Sequence, residues 1–445
     1  MTRNCIIVSP YFPPSTLAGV HRARHLAKHL PAAGWTPVIV CVDEAYHEEQ
    51  LDPGLATLVP PTVEIVKVPA LSPRICRPFG FGEISLRAWR PLRHAVFRLL
   101  ATRPVDSVLI TGSPYYPMLL AKEIKQRFGV PVVLDFQDPW VSAWGAGQPR
   151  WSKSGIAHQL SVMLEPKAVR AADFITSVSD TQNAELCARY PWLDPTRMAA
   201  IPIGGDPEDF DQLRGMLATP PRLAIDRPYV NLCFVGTFMP RSGPLVRLLL
   251  TALRRLCVAR PDLGKRIRLT FVGTSNQPND LSTYRVRPLA QEVGVADAVC
   301  EIPQRQPFLE ALTILARSDG ILLIGSDEPH YTASKIYPAL MSGRPFLSLF
   351  HVASSSHAIL KAAGGGLAHA FADGRPDTDI VADLADSLAR FASAPESMGR
   401  ADPVVYEAFT APRIAARFAE IFDRVAGAER RHLHVCGIQV DDAGV

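Results

Sequence analysis

Apolar runs of four to seven residues alternate with helix-period segments along almost the whole chain. Strands are expected at 5–9, 37–42, 63–68, 107–111, 130–136, 174–179 and 198–203. Helical patterns fall between most of them, at 20–33, 91–102, 117–128, 156–171 and 181–189. Strands that are apolar throughout are buried on both faces, and intervening amphipathic helices supply the cover. The pattern therefore predicts a parallel sheet. Residues 207–228 break the rhythm; they are polar, hold Pro220, Pro221 and Pro228, and read as a linker. The alternation then restarts, with strands at 230–235, 268–272, 299–302, 320–324, 345–350 and 367–371. Helices are expected at 244–259, 284–293, 308–316, 335–341, 355–361 and 380–392, with a terminal helix at 412–425. This is α/β architecture with two tandem, Rossmann-like, doubly wound parallel-sheet domains, at 1–206 and 229–400, and a frayed tail at 428–445.

In the second half, three strand-to-helix junctions repeat one theme: FVGTF (234–238), FVGTS (271–275) and LIGSD (323–327). In open parallel sheets ligands sit beyond the carboxyl ends of the strands. There Gly236 and Gly273 let backbone approach a ligand closely, and hydroxyls such as that of Thr237 can donate to it. TASKIYPALMSGRPFL (332–347) adds an anion site. Thr332 and Ser334 supply small hydroxyl residues before a helix start, and Lys335 supplies a full positive charge. A phosphate-bearing ligand follows. No strand leads into G-x-G-x-x-G, so a dinucleotide fingerprint is absent.

Composition narrows the class. An apolar fraction of 47% is ample for packed cores, and a net charge of +4 is too small to imply nucleic acid. The eight cysteines form no CxxC pair, which points to reduced core thiols and a cytoplasmic compartment. The chain enters a strand at once, without a secretory signal, and no apolar run is long enough to span a bilayer. Arg74 to Arg103 holds seven arginines and His94 against one acid, Glu83, with Phe79, Phe81, Trp89 and Phe97 interleaved. Such a stretch suits anionic lipid headgroups at the inner face of a membrane.

Several segments, in this order and spacing, resemble the family 4-like glycosyltransferases of GT-B fold. SPYFPPSTLAGVHRARHLAKHLPAAGW (9–35) looks like the family's opening, and VVLDFQDPW (132–140) like a central acceptor-domain strand with its loop. AADFITSVSD (171–180) and AAIPIGGDPEDF (199–210) are similar to later strands of that domain. FVGTFMPRSGP (234–244) and TASKIYPALMSGRPFL resemble the donor domain. The resemblance implies two domains facing a central cleft, with the terminal helix 412–425 packing back on the first. It implies a glycosyltransferase that moves a sugar from a nucleotide-sugar, with retention, to a glycan or polyprenyl-diphosphate-linked acceptor in cell-surface polysaccharide synthesis. It requires neither metal nor cofactor beyond the co-substrate. Two alternatives share the fold: a sugar-nucleotide epimerase, and a non-catalytic nucleotide-sugar-binding or scaffold protein.

The expected roles follow. Arg241 and Lys335 stabilise the leaving diphosphate, and the Gly19 backbone approaches it from the first domain. One of Arg22 and Arg24 holds an anionic acceptor or the diphosphate, Asp135 and Asp138 accept from sugar hydroxyls, with Asp138 counted beside Arg241 and Lys335 as catalytic, and Trp140 stacks on a sugar face. Ser113 and Tyr115 are further acceptor candidates. The family's E-x7-E pair falls at His330 and Pro338, and its donor-loop Arg and Lys fall at Thr237 and Ser242. Asp327 and Glu328 are then the nearest acids to hold the donor ribose.

Overall fold

The computed structural model describes residues 3–213, 228–275, 280–326 and 333–435. Every strand that the apolar runs predict is present among them. Seven form one all-parallel sheet: β1 (Arg3–Val8), β2 (Trp35–Val42), β3 (Glu64–Val68), β4 (Ser107–Gly112), β5 (Val132–Phe136), β6 (Phe174–Ser177) and β7 (Met198–Ala200), in the order β3-β2-β1-β4-β5-β6-β7. Six form a second: β8 (Val230–Val235), β9 (Ile267–Val272), β10 (Val299–Ile302), β11 (Gly320–Ile324), β12 (Phe346–His351) and β13 (Gly366–Phe371), in the order β10-β9-β8-β11-β12-β13.

Successive side chains of a strand point to opposite faces, and here both faces are cores. Ile6 and Val8 of β1 join one apolar cluster, while Cys5 and Ile7 join another. In the second sheet Leu347 and Leu349 of β12 face one cluster, and Phe346 and Phe350 the other.

The main helices are α1 (Val20–His29), α2 (Trp89–Thr102), α3 (Leu120–Phe128), α4 (Lys153–Ala171), α5 (Asp180–Arg189), α6 (Gly243–Ala259), α7 (Arg287–Val293), α8 (Phe308–Arg317), α9 (Ile336–Met341), α10 (Ser355–Ala363), α11 (Asp377–Ser393) and α12 (Ala411–Val435). Helix starts differ from the periodicity where a side chain sets them. The pattern puts α7 at 284, yet the Glu301 carboxylate accepts from the backbone N–H groups of Arg285, Val286 and Arg287 and starts the helix at Arg287. Ser152 caps α4 by accepting from the Gly155 N–H, so the helix starts at Lys153, three residues before the expected 156. The expected fraying after Gly427 gives way to helix as far as Val435.

The chain divides into two compact units, Met1–Ile203 with Ala411–Val445, and Gly204–Thr410. Helix α12 belongs to the first. Phe422 packs edge-on against Trp35, whose indole N–H donates to Asp423, and Arg417 donates to the Ala200 carbonyl. Of the segment read as a linker, Pro207–Asp211 is a short helix, and 214–227 lie outside the described residues.

Candidate functional site

In the second unit, β8 and β9 end at the two glycines of the repeated theme. Gly236 has φ +135° and Gly273 φ +73°, regions that residues with a Cβ rarely adopt. A Cβ built on Gly273 would lie 3.9 Å from the Gly236 nitrogen, so the two turns adjoin. Thr237 and Ser334 are exposed.

Lys335 caps α9 and turns its ammonium group inward. Nζ stands 4.0 Å from the centre of the Phe234 ring, and a Cβ on Gly236 would lie 3.7 Å from it. Burial alone pulls its pKa from 10.5 down to about 8. A cation kept half-desolvated over a ring face, at a turn built to admit backbone or ligand, is poised for an anion. Ser242 is committed elsewhere: its hydroxyl donates to the Gly325 carbonyl at 2.6 Å and ties the two strand-end loops together. Arg241 beside it is exposed.

The hydroxyl theme needs one correction. Thr274 is fully buried and donates to Glu301 at 2.7 Å, so it builds the fold and is unavailable to a ligand. Thr332, Asp327 and Glu328 lie outside the described residues.

In the first unit several expected acceptor contacts prove internal. Arg22 and Asp135 are fully buried and pair at 3.1 Å between Nε and Oδ2. Arg22 also donates to the carbonyls of Ile201 and Pro202 and lies over the Phe418 ring, while Thr176 donates to the other oxygen of Asp135. Their hydrogen-bonding capacity goes into holding α1, β5, β6 and α12 together, not into an acceptor. Trp140 is a core residue stacked on Tyr115 at 5.3 Å, so its face is covered and cannot receive a sugar. Arg24 is buried, with its guanidinium 2.8 Å from His25 Nε2. Asp138 remains exposed to solvent, although the protein crowding around its carboxylate raises its pKa. The D-x-x-D spacing thus separates a structural acid from an accessible one.

Gly19 stays near the strand ends. A Cβ there would come within 3.4 Å of both Gln137 Oε1 and the Ser113 carbonyl. Gln137 went unnoticed in the sequence. It is buried at the end of β5, its amide donates to the Gly19 carbonyl at 3.4 Å, and its Oε1 accepts from nothing. No sequence signal marks it beyond its place one residue past a buried strand.

Comparison with known proteins agrees with this geometry. Residues 18–204 match the glycosyl transferase 4-like domain. The D-inositol 3-phosphate glycosyltransferase of Streptomyces scabiei is 27% identical over 278 residues, 61% of this chain and 58% of that protein. The chain therefore spans under two thirds of that relative's length. Among solved structures, Anabaena HepE in complex with UDP superposes with TM-score 0.57 at 13% identity, covering 95% of this chain and 100% of that one. WaaG, a glycosyltransferase involved in lipopolysaccharide biosynthesis, superposes with TM-score 0.53 at 15% identity, covering 96% and 99%. Two parallel-sheet α/β domains of this kind are the GT-B fold. The match over residues 18–204 and these relatives support a family 4-like glycosyltransferase of GT-B fold.

Proposed function

We propose that the protein transfers a sugar from a nucleoside-diphosphate sugar, with retention of configuration, to a glycan or lipid-linked acceptor in cell-surface polysaccharide synthesis. One observation carries the reading: the desolvated Lys335 ammonium beside Gly236 and Gly273, at the strand ends where an α/β sheet binds ligands. Cleavage of a sugar–diphosphate bond leaves negative charge on the leaving group, and Lys335 with the adjoining turns stabilises it. Arg241, exposed at the start of the next helix, adds a second cation. Asp138 offers a carboxylate to acceptor hydroxyls. UDP in the HepE complex makes a uridine donor the first to try, and WaaG's role in lipopolysaccharide biosynthesis makes a lipid-linked glycan the first acceptor.

The test is turnover of UDP-, GDP- and ADP-sugars with and without a lipid-linked oligosaccharide. Sugar transfer supports the proposal. Release of an epimerised sugar-nucleotide selects the epimerase, and binding without turnover selects a non-catalytic protein.

Contact with an anionic membrane face is part of the same proposal, on a changed surface. Arg93 of the basic stretch is engaged by Glu123 at 2.5 Å and lies over Phe97, so it is no free headgroup cation. Leu71, Ile75 and Phe81 nearby are exposed. A broader apolar surface runs from the turn at Ala143–Ala146 into α4. Trp144 is 69% exposed and Trp151 92%, and Ile156, Leu160 and Met163 follow at helical spacing. Residues 139–164 hold Arg150 and Lys153 and no acid. Exposed tryptophans with cations and no opposing charge fit an anionic interface. No helix among the described residues is long and apolar enough to cross a membrane. Vesicles containing phosphatidylglycerol should co-sediment with the protein, less so as salt rises. Trp151→Glu with Ile156→Glu should abolish this. Undiminished co-sedimentation of that variant would clear α4 of the role.

A further inference from the structure

We propose that Glu310 holds the ribose of the donor nucleotide, in place of the carboxylate that Pro338 cannot supply; this rests on the donor-site reading above. Glu310 is the third residue of α8, which begins after Pro307. A glutamate at that position ordinarily reaches back to the N–H of the residue that caps the helix, closing a capping box. Here that residue is proline and has no N–H. The consequence is visible in the structure. Glu310 is only 8% exposed, and its Oε1 is sealed from solvent with no hydrogen-bond donor. An acceptor left bare in the interior costs free energy, and native proteins keep few of them.

Its location gives this unfilled capacity a use. Ile314, one helical turn on and on the same face, is fully buried against Cys233 of β8 and Val272 of β9. The loop leading into α8 is stitched to the end of β9, with the Gly273 N–H donating to the Ile302 carbonyl and the Ser275 N–H to that of Pro303. A Cβ on Gly273 would lie 3.9 Å from the Arg305 Cα. The first turn of α8 therefore rises from the strand ends that carry Gly236, Gly273 and, beside Gly236, the Lys335 ammonium. A vicinal diol presents two O–H donors to one carboxylate, the geometry a bare glutamate accepts best. A nucleotide bound by its diphosphate at Lys335 brings such a diol in its ribose. The charge division is complementary: the cation takes the anionic end, and the carboxylate takes the neutral, donor-rich end.

The experiment titrates UDP, GDP and ADP, and their 2′-deoxy counterparts, into the parent, Glu310→Ala and Glu310→Gln by calorimetry. The parent should lose affinity when the 2′-hydroxyl is removed. Glu310→Ala should bind the preferred ribonucleotide roughly ten- to hundredfold more weakly and no longer distinguish it from the deoxy form. Without nucleotide, Glu310→Gln should melt no lower than the parent, because no native hydrogen bond is lost. Parent-like binding by Glu310→Ala overturns the proposal. So does an equal loss toward both sugars, which would mean the base is read there, or loss of discrimination in Asp327→Ala or Glu328→Ala instead. A lowered melting temperature of Glu310→Gln would assign a structural role and overturn it too. A parent that binds none of the nucleotides overturns both this proposal and the donor-site reading, whereas a binding parent with an indifferent Glu310 overturns this one alone.

Discussion

Replacing Lys335 by Ala should weaken binding of the preferred nucleoside diphosphate by ~1.5–3 kcal/mol, about ten- to hundredfold in dissociation constant. The size follows from what the side chain has to offer. Its ammonium is drawn away from water onto the Phe234 ring, and burial lowers its pKa with no acid among the described residues opposing it. A phosphate oxygen would supply the missing negative charge without a further desolvation step for the lysine. The same fact sets a pH dependence. The free site titrates near 8, so above that pH Lys335 is mostly neutral until a diphosphate restores its proton. Affinity should therefore fall as pH rises through 8, and binding at pH 8.5–9 should take up a fraction of a proton, read by calorimetry in buffers of different ionisation enthalpy. Folding stability moves in the opposite sense. The unfolded lysine keeps its proton to about 10.5, so between 8 and that value the unfolded state binds more protons and stability rises with pH. Lys335→Met keeps the apolar stem and removes the charge; it should bind as weakly as Lys335→Ala yet be no less stable than the parent near neutrality. Affinity that is flat with pH and unchanged in either variant would remove Lys335 from the donor site.

The sheets were legible because their signal is local. Runs such as GILLI at 320–324 or VIVCV at 38–42 are apolar on both faces, and only a strand covered twice needs that. Order along the chain then specified the alternation with helices. The short helices at Pro53–Ala56, Pro73–Cys76, Ile84–Arg87 and Pro261–Gly264 had no such signal, since four residues make barely one turn and show no period. At the strand ends the turns at Gly236 and Gly273 could be read, because a positive φ favours glycine locally. Charged residues of the first domain were misread for the opposite reason. Arg22 and Asp135 are 113 positions apart, and nothing in the neighbourhood of either announces the other. A buried ion pair and an open substrate contact use the same residue types, so only the fold tells them apart. Thr274 makes the same point within one motif: its hydroxyl is answered by Glu301, 27 residues on. Glu310 is the reverse case. Pro307 three residues before it shows in the sequence that its ordinary cap is impossible, but not that burial then leaves the carboxylate bare.

Asp135→Ala should destabilise the first domain by ~3–5 kcal/mol, the effect of leaving a buried charge without its counter-ion. Arg22 is fully enclosed, so once Asp135 is gone the guanidinium keeps the carbonyls of Ile201 and Pro202 and the Phe418 ring but loses its counter-ion. Thr176 loses its acceptor as well, which adds an unpaired buried hydroxyl to the cost. Asp135→Asn keeps an acceptor for Thr176 and the volume of the side chain, but it removes the charge, so it should fall between the parent and the alanine variant. Replacing both partners by apolar residues of similar size should recover much of the loss, because the desolvation of the pair disappears with its attraction. Urea unfolding followed by tryptophan fluorescence isolates the effect. All six tryptophans, from Trp35 to Trp192, lie within Met1–Ile203, so the probe reports on the first unit even if the second unfolds separately. A shift in the midpoint at constant slope measures stability in the ordinary way. If Asp135→Ala lies within 1 kcal/mol of the parent while sugar transfer collapses, the carboxylate belongs to the acceptor chemistry and not to the fold. The buried pairing with Arg22 predicts the reverse order, a large fall in stability that carries any loss of activity with it.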